Sequence, residues 1–201
     1  MIHFLRHFVV ATLVLALFVR PAGAQWGVTI SLHRTTFGGT SHDTTTGGTN
    51  GSFRPGSTPA VTLRVDRRLG RVTIALGARV SRSAIEISNK DVFVGLHHEV
   101  TTIEAAPEVR VRLVRTPVGA RLHVYGGAVI GVWSFQDQTR KVTGGVAGVS
   151  GEFPLFAKLA LEVRAGGGLT TSLFRDGELP PEFERRVTRR AEIGIGLRYG
   201  R

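Results

Sequence analysis

Arg121–Trp133 reads RLHVYGGAVIGVW. It places Leu122, Val124, Gly126, Ala128, Ile130 and Val132 at every second position, with Arg121, His123, Tyr125, Gly127, Val129, Gly131 and Trp133 between them. A period of two sends the two sets to opposite faces of a β-strand, one small and apolar, the other mixed. The stretch is long enough for a tilted strand that crosses a bilayer, roughly 9–11 residues. Trp133 stands near its far end, where a membrane interface favours an aromatic ring.

The same alternation recurs along the chain. In Trp26–His33, Trp26, Val28, Ile30 and Leu32 oppose Gly27, Thr29, Ser31 and His33. Pro59–Arg67, Val72 to about Ile87, Val100–Arg115, Leu159–Leu169 and Val187–Tyr199 repeat it; Thr143–Glu152, mostly Gly, Val, Ala and Ser, is the least readable segment and is counted as a further strand. This predicts eight strands. Pro107 has no N–H to give to a ladder, so a bulge or local break is expected there. Leu69-Gly70, Thr116–Gly119 and Phe153–Lys158 read as short turns. Longer connections fall at Phe37–Thr58, Asn89–His98, around Gln136–Lys141 and at Arg175–Glu184. Long and short connections therefore alternate, and no stretch after the first 24 residues reads as an amphipathic helix. Many strands at regular spacing indicate a closed all-β barrel or a sandwich.

The direction of the faces separates a soluble protein from a membrane one. The mixed face carries Arg64, Asp66, Arg79, Glu104, Glu108, Arg110, Arg112, Arg121, His123, Glu162, Arg164, Arg190, Glu192 and Arg198. On a soluble barrel these would be the solvated exterior; in a membrane barrel they line the lumen and the apolar residues face lipid. Mid-strand glycines on both faces suit a narrow, crowded interior, and the alternation of loop lengths matches a barrel with short turns at one end. We therefore expect an antiparallel up-and-down transmembrane β-barrel. Its lumen network would comprise Arg64, Arg79, Glu104, Glu108, Arg110, Arg112, Arg121, Glu162, Arg164, Arg190, Glu192 and Arg198. Eight strands leave an interior that side chains can fill, so charges of both signs should pair and plug it, since unpaired ones are costly.

Composition sharpens this picture. The 201 residues suffice for one domain, and the absence of cysteine excludes a disulfide framework, a Cys-based zinc site and a thiol nucleophile. Met1–Ala24 reads as an export signal: Arg6 near the start, an apolar run over Phe8–Val19, then Ala22-Gly23-Ala24 as the cleavage rule requires. That run is too short for a helical span of ~20 residues. The expected organisation is a signal peptide over 1–24 and a barrel domain over 25–201. The formal charge of +11 includes Arg6 and Arg20 of the leader, which carries no acid, so the remainder keeps +9. These positives are spread along strands rather than gathered in a helix or tail, which argues against nucleic acid and for an anionic membrane surface.

With its leader, alternating strands and alternating loops, the chain from Gln25 to Arg201 resembles the small outer-membrane β-barrel family of bacteria, the class of OmpA's barrel domain and OmpX. The resemblance implies outer-membrane location, a monomer, contact with outer-membrane lipid and lipopolysaccharide, and handling by the barrel-assembly machinery. Members of that family usually end on an aromatic residue read by the assembly machinery; here Tyr199 is followed by Gly200-Arg201, which displaces that signal.

Little in the chain suggests chemistry. His97-His98, adjacent on a strand, would point to opposite faces and make a poor chelate. No metal-ligand spacing appears, and no metal or cofactor is expected. His33 and Ser41 are neighbours in sequence only and do not form a nucleophile–base arrangement, so no catalytic residue is assigned. Arg185, Arg186 and Arg189 gather where the last loop enters the last strand, and guanidinium forks suit lipopolysaccharide phosphates. The sequence thus points to a non-enzymatic barrel acting through its loops, with Phe37–Thr58 the longest. A narrow channel for small solutes is the first alternative and a lipid A-modifying enzyme the second.

Overall fold

The computed structural model describes residues 25–38, 41–43, 52–88, 93–135, 138–172 and 183–200. The leader, its cleavage position, 39–40 and 44–51 of the first long loop and 173–182 of the last lie outside the described residues. Eight long strands follow in order: β1 Gln25–Phe37, β2 Thr58–Leu69, β3 Val72–Ser88, β4 Phe93–Arg115, β5 Arg121–Phe135, β6 Gln138–Phe156, β7 Leu159–Thr170 and β8 Thr188–Gly200. Each pairs antiparallel with its neighbours in the chain, and β1 pairs with β8, for example Val28 with Tyr199 and Ile30 with Leu197. The ring is closed, so no long strand leaves an unpaired edge. The described residues contain no helix.

The alternation sets the inside and the outside. Val28, Ile30 and Leu32 face outward, Ile30 at 58% exposure, while Thr29, Ser31 and His33 between them are buried. The same holds around the ring: Ile74, Leu76, Val109, Val111, Leu197 and Ile195 are exposed, and Arg64, Arg110 and Glu162 are at most 2% exposed. An apolar exterior around a charged interior is the arrangement of a membrane barrel and the reverse of a soluble one. At the end bearing the short turns, Trp26, Phe153, Phe156 and Tyr199 point outward in or beside the last rungs of their strands. Aromatic rings belong at such a membrane interface.

Several boundaries differ from expectation for physical reasons. Within the connections expected at Asn89–His98 and Gln136–Lys141, Phe93–Leu96 and Gln138–Lys141 are paired strand, because two hairpins continue past the apolar band; 89–92 and 136–137 lie outside the described residues. Phe135 pairs with Gln138, leaving only Gln136 and Asp137 between β5 and β6. In β4, Ala84 pairs with Glu99 but Ile85 with Leu96, so His97 and His98 are the extra residues of a bulge. β6 runs through Pro154 to Phe156, with Leu155 skipped in the register against β7. Pro107 causes no bulge: the register against β5 is the same on either side of it, from Ala105–Ile130 to Glu108–Gly127. The pairing lapses across Ala106 and Pro107 on that side only, and Leu76 still pairs with Pro107 on the other. Gly70 and Gly119 turn the chain at φ of 66° and 87°, where a side chain would be strained.

Candidate functional site

The lumen is the one place where this sequence concentrates chemistry, and the strands build it in tiers. At the turn end, β8 presents Arg198 and β2 presents Asp66; the guanidinium grips the carboxylate with two bonds of 3.1 and 2.7 Å. Glu152 of β6 lies beside them, accepts from Arg68 and from Arg121 at 3.3 Å, and stands 3.4 Å from the Arg198 guanidinium. One tier up, Glu162 of β7 takes Arg64 of β2 and Arg110 of β4, the second at 3.3 Å. Arg110 also donates to Ser150 at 2.8 Å.

The middle tier is organised around Arg164. It forks onto Glu108 at 2.9 and 2.6 Å and lies 3.6 Å above the ring of Tyr125. A bidentate carboxylate and an aromatic face satisfy the planar guanidinium in ways that lysine does not. Glu192 receives Arg79 and stands 3.7 Å from Arg164. Above this, Glu104 accepts from Arg190 and from the indole N–H of Trp133 at 3.2 Å. The loop end is then sealed by an apolar cap of Phe37, Ile85, Val100, Trp133 and Val142, with the Phe37 and Trp133 rings edge to face at 5.8 Å.

Room for this network comes from lumen-facing glycines. A Cβ at Gly166 or Gly148 would collide with the Tyr125 hydroxyl, one at Gly27 with the Arg198 guanidinium, and one at Gly194 with the His33 ring. The long side chains of one wall therefore occupy volume that the facing wall leaves empty. Space in the middle tier is reduced to about 20 Å³, among Arg79, Glu104, Glu108, Arg164 and Glu192.

Ten of the twelve residues expected in the lumen network lie buried and ion-paired there. Arg121 is partly exposed at the turn-end mouth and reaches Glu152. Arg112 departs from the expectation: it is half-buried at the same mouth and makes no ion pair among the described residues. The reason is its height, two inward rungs beyond Glu108, the last carboxylate of its strand. Trp133 also departs. Its parity is that of Arg121 and His123, which turns the indole into the lumen rather than toward a membrane interface, and it is fully buried.

Sequence reasoning left Arg68, Glu152, Tyr125 and Trp133 out of the network. Arg68 continues the Arg64, Asp66 parity and was legible in principle. Glu152 ends a glycine-rich segment in which the alternation is faint. Of the histidines, His33 bonds Ser31 at 2.8 Å inside the barrel, and His123 is buried near Arg110 and Glu152. Ser41 lies elsewhere, in a short strand Ser41–Asp43 that pairs with Phe183–Arg185. No group of three or more His, Cys, Asp or Glu with metal-holding geometry occurs among the described residues.

No protein-family model matches the chain, and no curated protein matches it by sequence. Solved structures do match. The outer-membrane protein OprG from Pseudomonas aeruginosa aligns over 89% of this chain and 96% of its own, at 8% identity and a TM-score of 0.60. Neisserial surface protein A aligns over 88% and 98%, at 11% identity and a TM-score of 0.55. The outer-membrane protein AlkL, determined in lipid bilayers, aligns over 91% and 94%, at 15% identity and a TM-score of 0.54. These similarities cover nearly the whole of each partner. The chain has the fold of the small outer-membrane β-barrels.

Proposed function

We propose that this chain is a monomeric, non-enzymatic outer-membrane barrel with a plugged polar lumen, acting in the envelope through its long loops. The observation that carries this reading is the pairing of Arg64, Arg79, Arg110, Arg164, Arg190 and Arg198 with carboxylates across the lumen. A path for solutes would have to pass Arg110 and Glu162, each at most 2% exposed. Buried ion pairs with satisfied geometry are expensive to part, because each partner alone would be an uncompensated charge. The exterior suits a bacterial outer membrane, and the leader suits export with cleavage after Ala24.

The first and last loops carry the surface role. The segments Ser41–Asp43 and Phe183–Arg185 pair into a small sheet apart from the barrel, tying those two loops together. Arg186 and Arg189 are exposed where the last loop meets β8. Guanidinium forks suit lipopolysaccharide phosphates, the partner we assign to these two residues and, from the sequence, to Arg185.

Planar-bilayer recording tests the plugged lumen. The refolded barrel is expected to show no stable large conductance. Reproducible unitary currents would overturn the reading and favour a narrow channel. A lipid A acylation pattern that changes with the protein, and reverts on substitution of His33 and Ser41, would favour the enzymatic alternative instead.

A further inference from the structure

We propose that the turn-end mouth of the barrel is a binding site for phosphate-bearing anions. A cavity of about 330 Å³ opens there, lined by Gln25, Arg68, Gly70, Arg112, Arg115 and Arg121. Four of its six lining residues are arginines and none is an acid. The carboxylate beside it, Glu152, is already divided among Arg68, Arg121 and Arg198. Among the described residues the side chains of Arg112 and Arg115 have no ion pair. The mouth thus holds four arginines beside one shared carboxylate, whereas the tiers above it set five arginines against four carboxylates, each arginine ion-paired.

The backbone concentrates this surplus. Arg112 pairs with His123 and Val114 with Leu122, so Leu113 is the extra residue of a bulge, and Arg115 then pairs with Arg121. Without the bulge, Arg112 and Arg115, three apart, would face opposite sides of the strand. With it, both face the mouth, and Arg115 stands directly across from Arg121. Like charges directly opposite on paired strands are destabilising, and bulges commonly re-aim side chains beside functional sites. An anion between the guanidiniums removes the repulsion. A walled cavity of one sign also raises the local concentration of counter-ions.

Geometry favours phosphate over carboxylate. A carboxylate offers two coplanar oxygens, which one guanidinium fork matches bidentately, as Arg198 does on Asp66. A phosphate offers three or more oxygens in different directions, which several forks can share. The phosphate has two possible sources. One is a soluble phosphoester in the compartment at the turn end. The other is the headgroup of an anionic phospholipid in the adjoining leaflet, where Arg67 lies over the Trp26 ring at 5.7 Å on the outer face of the same end.

The test is titration calorimetry with inorganic pyrophosphate on the refolded full barrel in phosphatidylcholine bilayer discs, which expose both ends. The expected result is saturable binding that the Arg112→Gln/Arg115→Gln variant weakens at least ten-fold. The Arg186→Gln/Arg189→Gln variant, altered at the loop end, should leave it within two-fold. Heat-dependent gel mobility confirms that each variant is folded; if the double variant is not, Arg115→Gln alone is read, with at least a three-fold loss expected. Repeating the titration in discs containing phosphatidylglycerol separates the sources. Pyrophosphate affinity reduced ten-fold there indicates a resident headgroup, and unchanged affinity a soluble ligand. No saturable binding by the unaltered barrel, an undiminished affinity in the mouth variant, or an equal loss in the loop-end variant each overturns the proposal.

Discussion

The two ends of the lumen are built on opposite principles. At the loop end, Phe37, Ile85, Val100, Trp133 and Val142 close the bore with apolar contacts. At the turn end, arginines border a cavity that stays open to solvent. The strands are continuous between the two, so the difference comes from side chains alone. An apolar cap keeps water from the ion pairs beneath it and strengthens them, because charges interact more strongly in a low-dielectric setting. The open mouth leaves Arg112 and Arg115 hydrated, where a surplus of charge is tolerated.

Three substitutions break or sharpen that contrast, in descending order of effect. Trp133→Ala removes the largest fully buried side chain, the centre of the cap. Its expected cost is about 3–5 kcal/mol, read as a lower midpoint in urea unfolding from lipid vesicles. The same variant should admit small ions from the loop end in bilayer recordings. Glu162→Gln, in the second tier, leaves Arg64 and Arg110 without their shared carboxylate. The neutral amide keeps some hydrogen bonding, so the loss should be about 2–3 kcal/mol in the same assay. Arg115→Gln at the turn-end mouth should change stability by no more than about 0.5 kcal/mol, since it removes no ion pair. A destabilisation of Arg115→Gln matching that of Trp133→Ala would erase the distinction between the two ends.

How much of this was legible in the sequence follows from the pleat. A strict period of two fixes which face each residue takes, so the inward set containing Arg64, Glu104, Arg164 and Arg198 could be read directly. The number of strands followed from the same alternation. What the period does not encode is height along the barrel axis, and height decides partners. It places Arg112 at the mouth and Arg110, two residues away, among carboxylates. It also makes Trp133 part of an internal cap. Bulges are a second blind spot, because a skipped residue such as Leu113 reverses the parity beyond it without any marker in composition. The hairpin ends were missed for other reasons: Gln138–Arg140 pairs beyond the apolar belt, where polar sequence resembles a loop, and Phe93–Leu96 is set off from the rest of its strand by the unpaired His97-His98.

The placement of ion-pair partners along the chain bears on how the barrel comes to be assembled. β8 supplies Arg190 to Glu104, Glu192 to Arg79 and Arg198 to Asp66. Those partners reside on β4, β3 and β2, none of which is hydrogen-bonded to β8. An intermediate with seven strands in place would hold an unzipped seam and three stranded charges, two of them carboxylates. Docking of the final strand repairs both at once, so seam and charges form a single cooperative clasp. The chain is committed to its closed shape only when its last segment arrives.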